Sequence, residues 1–150
     1  MTGSRPPLAR PSAMGDDDAE LLMAARRLLE DRYREGRHEV ATAWRMADGA
    51  IVTGIHVDGS ARRSAVCAEG VAAGNAIAHG ARPDDPPGVE AIVSVLRRRS
   101  GSWHLIEPCG VCAELITDYW PDARVWVGRR DEIVQVSARE LLPVKYERVW

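Results

Sequence analysis

Cysteine is scarce in this sequence, and its count is odd. Three cysteines occur among 150 residues, which is too few, and an unsuitable number, for a framework of disulfides. A chain of this length can bury roughly two-thirds of its unfolded surface and needs no such staples. The count therefore favours free or metal-binding thiols in a reducing compartment, and we expect a cytoplasmic protein.

Long apolar runs and a strong charge of either sign are also missing. No segment has the apolar stretch of a signal peptide or of a transmembrane helix. The formal net charge is −2, which gives no electrostatic basis for binding a nucleic acid polymer or a membrane surface. One basic run, Arg97-Arg98-Arg99, is too small for a phosphate site and indicates a solvated turn at the end of a strand.

The composition changes near residue 15. Residues 1–15 contain arginine, proline and serine but no apolar stretch, and this composition predicts a disordered leader. The patterned segments follow it, and one domain is the natural expectation for a chain of this length. We therefore expect a single domain over residues 16–150.

Apolar periodicity and turn residues predict alternating helices and strands. Asp16, Asp17 and Asp18 supply an N-cap and favourable charge to the first helix, and Asp48-Gly49 marks a hairpin turn. The predicted elements are a helix over 16–35, strands over 40–46 and 51–57, a helix over 64–79, a strand over 89–96, a helix over 109–119, strands over 124–127 and 133–136, and a helical turn over 137–141. This order predicts a three-layer α/β/α domain with a mixed sheet of about five strands.

All three cysteines fall in two short motifs, Cys67-Ala68-Glu69 and Pro108-Cys109-Gly110-Val111-Cys112. Three thiolates can hold a zinc ion and leave its fourth position open, which is the arrangement of a catalytic site. Both motifs lie where a loop opens a predicted helix, and a helix N-terminus stabilises thiolates. A carboxylate beside the open position can move the protons of hydrolysis, and we expect Glu69 to do so. The backbone N–H groups around Ala68 and Cys109 are candidates to stabilise the developing oxygen charge.

Cysteines in such motifs can also serve without a metal. The three residues could be ordinary buried thiols, or Cys109 and Cys112 could form a redox pair. The combination with Glu69 and Pro108 favours zinc catalysis over both roles, because it matches the Cys-ligand form of the zinc deaminase motif.

On these residues the sequence resembles the cytidine deaminase superfamily, in its small three-cysteine branch of cytidine and blasticidin-S deaminases. The likeness runs from about Glu39 to the C-terminus. It includes the hairpin containing Val40-Ala41-Thr42-Ala43 and the tail Arg139-Glu140-Leu141-Leu142-Pro143. The resemblance implies the cytidine deaminase-like fold, zinc held by Cys67, Cys109 and Cys112, Glu69 as proton shuttle, and a homotetramer with active sites at subunit interfaces.

The expected substrate contacts fit the resemblance less well. Where cytidine deaminases usually carry Asn-x-Glu to bind ribose, this chain has His56-Val57-Asp58, and we keep His56 and Asp58 as candidate substrate contacts with the backbone of Ala68. The chain has no phenylalanine to pack on a base, and Gly70 and Glu107 replace frequent family residues. Trp150, at the end of the chain, is a further candidate because it could stack on an aromatic substrate.

The predicted function is therefore the hydrolytic deamination of a cytosine-type nucleoside or nucleoside antibiotic, such as cytidine or blasticidin S, with release of ammonia. Another small aminated heterocycle is the alternative substrate. A deaminase of polynucleotides is disfavoured, because it would need a basic groove and stacking aromatics, and the net charge is −2. A zinc-stabilised interaction domain without catalysis is a further alternative, but it would not need Glu69.

Overall fold

The computed structural model describes residues 5–81, 88–146 and 148. Within these residues the chain forms three α-helices and six strands. In order they are α1 (Asp16–Arg32), β1 (Val40–Met46), β2 (Ile51–Ile55), α2 (Ala68–His79), β3 (Val89–Arg97), β4 (Trp103–Ile106), α3 (Gly110–Tyr119), β5 (Arg124–Arg129) and β6 (Glu132–Ser137). No helix in this part of the chain has both the length and the apolar character needed to cross a membrane.

The strands form one mixed sheet in the order β2-β1-β3-β5-β6, with β4 also paired to β3. The β3–β5 pair is parallel, and the other pairs are antiparallel. The sequence predicts about five strands, and β4 is the strand it misses. Residues 98–102 form a tight turn, which Gly101 completes with a φ of 86°, so the chain folds straight back and pairs four more residues with β3.

The alternation of side chains along the strands builds a core on each face of the sheet. On one face, Ala41 and Val93 pack with α1. On the other, Trp44 and Ile92 pack with α2 and α3. This confirms the predicted three-layer architecture, and it places Thr42 and Ser94, which are fully or almost fully buried, on the α2 side.

The start of α1 differs from the prediction. Gly15, not an aspartate, occupies the N-cap position, without a side-chain cap. Asp18 is instead buried, and its carboxylate accepts hydrogen bonds from Trp126 Nε1 at 2.7 Å and from Arg124 at 3.1 Å. The carboxylate thereby ties α1 to β5, because a buried charge needs partners of this kind.

Residues 5–15 lie against the domain, which differs from the predicted disordered leader. The Leu8 backbone N–H donates to the Trp103 carbonyl at 2.8 Å, and His104 Nδ1 lies 2.9 Å from the Pro6 carbonyl oxygen. Met14 is almost completely buried in the α1 core. Composition alone does not reveal this, because the β4 partners of Pro6 and Leu8 lie 98 and 95 residues further along the chain.

Gly54 allows β2 to approach the helix that carries Glu69. A Cβ atom at this position would lie 2.2 Å from the Ala68 carbonyl oxygen and 2.6 Å from the Ala72 backbone nitrogen. Both neighbours are backbone atoms, which cannot move aside as a flexible side chain can. The absence of a side chain therefore sets how closely the first turn of α2 packs on the sheet.

We expect Gly54→Ala to destabilise the protein by about 1–3 kcal/mol, because overpacking forces the backbone to shift. The matched control is Gly74→Ala in α2, where a Cβ atom would meet nothing within 4 Å. That change should stabilise the helix by roughly 0.5–1 kcal/mol. Urea denaturation of both variants measures the difference, and equal effects would contradict the close-approach argument.

Candidate active site

The three cysteines converge at the N-terminal ends of α2 and α3. Cys67 is the N-cap residue of α2, and Cys109 is the N-cap residue of α3. Cys112 lies one helical turn after Cys109, so both face the same side of α3. The three sulfur atoms lie within 4.8 Å of one another, and Sγ of Cys67 is 3.5 Å from Sγ of Cys109.

This geometry suits a tetrahedral thiolate site. Zinc–sulfur bonds of about 2.3 Å place tetrahedral sulfurs about 3.8 Å apart, close to the Cys67–Cys109 separation. Cys67 and Cys109 are exposed, whereas Cys112 is buried. The donor set is thus open on one side and anchored in the protein on the other, and the cysteines fit a zinc ion with room for a further ligand.

The protonation of the three thiols is strongly coupled. Burial raises the pKa of the Cys112 thiol, and the nearby charges of Glu69, Cys67 and Cys109 raise it further. Burial also raises the pKa of Cys67, as does Cys109 beside it. At Cys109, burial is outweighed by hydrogen bonds, chiefly from the Cys112 backbone N–H, and the pKa is lowered. Three acids at this spacing are ionised together only when a cation balances them.

Glu69 lies in the first turn of α2 with only 3% of its surface exposed. Burial raises the pKa of its carboxyl, while hydrogen bonds from Ser94, from its own backbone N–H and from Cys112 lower it. Its Oε1 atom lies 2.8 Å from Ser94 Oγ. A buried carboxyl with a raised pKa holds a proton more readily than an exposed one, which suits a general acid and base.

A chain of hydroxyl groups supports Glu69 in either protonation state. Ser94 Oγ lies 2.9 Å from Thr42 Oγ1, which lies 3.0 Å from the Val93 carbonyl oxygen and accepts from Trp44 Nε1 at 3.0 Å. Because Ser94 has one hydroxyl proton, it donates to Glu69 when the carboxyl is ionised. When Glu69 is protonated, it can donate to Ser94, Ser94 to Thr42, and Thr42 to the Val93 carbonyl. The hydrogen bond between Glu69 and Ser94 is therefore kept when a proton arrives or leaves.

A cavity of about 340 Å³ opens beside these groups. Its lining includes Cys67, Cys109 and Glu69 together with His56, Arg5 and Glu107. The volume lies within the range of small-molecule sites. The sulfur cluster and the buried carboxyl thus share one concave site.

Comparison with known proteins agrees with this arrangement. The chain is 33% identical over 139 residues to blasticidin-S deaminase from Bacillus cereus, covering 90% of this chain and 96% of that one. The chain belongs to the cytidine deaminase superfamily. It is a hydrolytic deaminase, and the resemblance predicted from the cysteine motifs is confirmed.

Two further relatives of the deaminase agree with this placement. Cytidine deaminase from Halalkalibacterium halodurans is 27% identical over 109 residues, covering 71% of this chain and 76% of its own. The crystal structure of cytidine deaminase from Burkholderia pseudomallei superposes with a TM-score of 0.71 at 26% identity, covering 89% of this chain and all of that chain. No protein-family model matches the sequence.

The structure brings two of the four predicted substrate contacts of the deaminase into the cavity. His56 and Ala68 line it, and the buried Nδ1 atom of His56 has no hydrogen-bond partner within the described part of the chain. Asp58 is exposed and does not line this cavity, because β2 ends at Ile55 and the chain leaves the sheet after His56. Trp150 lies outside the described residues.

Sequence reasoning missed Ser94 and Arg5 as site residues. Ser94 interrupts an otherwise apolar central strand, and a small polar residue in such a run is the one signal that could have found it. Arg5 belongs to the predicted leader and carried no local signal. Its place in the cavity depends on contacts with β4 and with Glu107.

Proposed function

We propose that this deaminase is zinc-dependent and acts on a free cytosine nucleoside, or on a nucleoside antibiotic of the blasticidin S type. The observation that carries the proposal is the buried Glu69 carboxyl beside three convergent sulfurs, with Glu69, Cys67 and Cys109 lining one cavity. The names of the relatives, blasticidin-S deaminase and cytidine deaminase, support this substrate class.

Cys67, Cys109 and Cys112 would hold the ion. When bound, zinc would supply a Lewis acid that activates water near neutral pH. The exposed sides of Cys67 and Cys109 leave access from the cavity, and buried Cys112 fixes the cluster to α3.

Glu69 is the group that moves protons. It would take one proton from the attacking water and pass it to the ring nitrogen, and then take the second from the new hydroxyl group on the ring carbon and pass it to the amine. The C–N bond then breaks, the amine leaves as ammonia and the ring carbon becomes a carbonyl. The hydroxyls of Ser94 and Thr42 keep its hydrogen bonds satisfied in both states. The backbone N–H group of Ala68, at the start of α2, favours the negative charge that develops on oxygen.

The direct test is ammonia release by purified protein with a measured zinc content. The panel would contain cytidine, deoxycytidine, blasticidin S and several aminated heterocycles without a sugar. We expect release from at least one cytosine nucleoside and about one zinc per chain. Bound zinc without any turnover would favour a zinc-stabilised interaction domain, and a protein that binds no zinc would overturn the proposal.

We also propose that the protein acts in the cytoplasm as a homotetramer. Apolar side chains are exposed around the cysteine cluster, with Val111 78%, Val66 42% and Val57 41% accessible. Exposed apolar surface beside a site suits an interface with another chain. Light scattering should give the mass of four 16.5 kDa chains, and a monomer would contradict the proposal.

A further inference from the structure

The segment before α1 delivers an arginine to the active-site cavity. Hydrogen bonds from Leu8 to Trp103 and between His104 and Pro6 hold the segment along β4. Arg5 lies directly before Pro6 in the chain and lines the cavity together with Cys67 and Cys109. A residue far from the zinc motifs in sequence is therefore part of the substrate-facing wall.

A bidentate ion pair with Glu107 holds Arg5 in the cavity wall. Its two terminal nitrogens donate to the two carboxylate oxygens of Glu107, one bond to each. The side chains are 34% and 39% exposed, so the pair is partly open to the cavity. Glu107 also lines the cavity, only two residues before Cys109. A bidentate pair of this kind holds the planar guanidinium and carboxylate groups in a defined relative orientation.

The hydrogen-bonding capacity of the pair is only partly used by its own members. Arginine has five N–H donors and no acceptor, while a carboxylate has about four acceptor sites and no donor. The ion pair uses two donors of Arg5 and two acceptor sites of Glu107, and the Glu107 backbone N–H occupies a third acceptor site. Donors of Arg5 and an acceptor site of Glu107 therefore remain for a third group. The opposite charges cancel, which removes any preference for a full anion or cation. A hydroxyl suits this pair best, because one hydroxyl can donate to the carboxylate and accept from the guanidinium.

We propose that Arg5 and Glu107 form a subsite that binds the 2′- or 3′-hydroxyl of the substrate's sugar, with Arg5 as a specificity-determining residue. This inference rests on the proposed nucleoside substrate class. The position of Asp58 outside the cavity strengthens it, since the acidic residue that the sequence offers for a ribose contact does not line the wall. Arg5 and Glu107 supply a polar pair within the cavity instead.

The test measures binding by calorimetry in the zinc-loaded Glu69→Gln protein, so that no turnover consumes the ligand. Cytidine is compared with 2′,3′-dideoxycytidine, which lacks two of its three sugar hydroxyls. Arg5→Ala should raise the Kd of cytidine about tenfold, the effect of losing one charged hydrogen bond, and change that of the dideoxy compound by less than about twofold. Glu107→Gln leaves a neutral partner for Arg5. It should also raise the Kd of cytidine more than that of the dideoxy compound, but by a smaller factor than Arg5→Ala.

Arg10→Ala is the matched control from the same segment. The Arg10 side chain bonds to the Met14 carbonyl and to Asp16, and its loss should leave both Kd values unchanged. The subsite would be overturned if Arg5→Ala and Glu107→Gln raised the Kd of both nucleosides equally, or raised neither. A parent protein that binds neither nucleoside would also overturn it. Selective weakening without ammonia release by the unmodified enzyme would support the subsite while refuting the proposed function.

Discussion

Replacing Glu69 with glutamine is expected to lower kcat for nucleoside deamination by about 10²–10⁴-fold, the range attributed to general acid–base catalysis. Glutamine keeps the volume and can still accept from Ser94, which lies 2.8 Å from the carboxylate. It cannot exchange a proton with water or with the leaving amine. The loss should therefore fall mainly on kcat, with a smaller effect on KM, and ammonia release under saturating substrate measures it.

Two companion variants separate proton transfer from structural damage. Ser94→Ala keeps the carboxyl but removes its hydroxyl partner, and we expect a smaller loss of roughly tenfold, typical of one charged hydrogen bond. Glu30→Gln changes an exposed carboxylate on α1 that pairs with Arg26, and activity should not change. If Glu69→Gln retained zinc and more than about a tenth of the wild-type kcat, the proton-shuttle role would be wrong.

The cysteine cluster could be predicted from the sequence because its geometry is mostly local. Cys67 and Cys109 each begin a helix, and the Cys109–Cys112 spacing is one helical turn. The alternation of strands and helices then places both helices on the same face of one sheet. Local chemistry and a simple topology therefore sufficed for these three residues and for Glu69.

The rest of the cavity depends on contacts between distant parts of the chain. Glu69 meets Ser94 across 25 residues, and Arg5 meets Glu107 across 102. Strand β4, whose backbone holds the segment that carries Arg5, forms only because a tight turn returns the chain to β3. No periodicity or spacing in the sequence encodes which distant side chains such pairing will bring together.

Replacing Cys112 with serine is expected to remove zinc and with it all measurable deamination. Of the three cysteines, Cys112 is the most enclosed, with 2% of its surface exposed, so water has little access to take the place of the lost sulfur. A serine hydroxyl is shorter, and unlike a thiol it does not ionise readily to give the charge that zinc requires. The zinc content measured by elemental analysis should fall from about one ion per chain to less than roughly a tenth of that.

The difference in exposure between Cys109 and Cys112 ranks the loss of zinc expected at the two positions. Cys109→Ser should retain more zinc than Cys112→Ser, because Cys109 is exposed and a water molecule can complete the coordination. Since every cysteine of the chain lies in the cluster, the matched control is Ala113→Ser, which adds a buried hydroxyl beside Cys112 without removing a sulfur. It should bind zinc normally and melt at a higher temperature with zinc than after chelation, since a ligand that binds only the folded state stabilises it. A Cys112→Ser protein with full zinc content would show that zinc is held elsewhere.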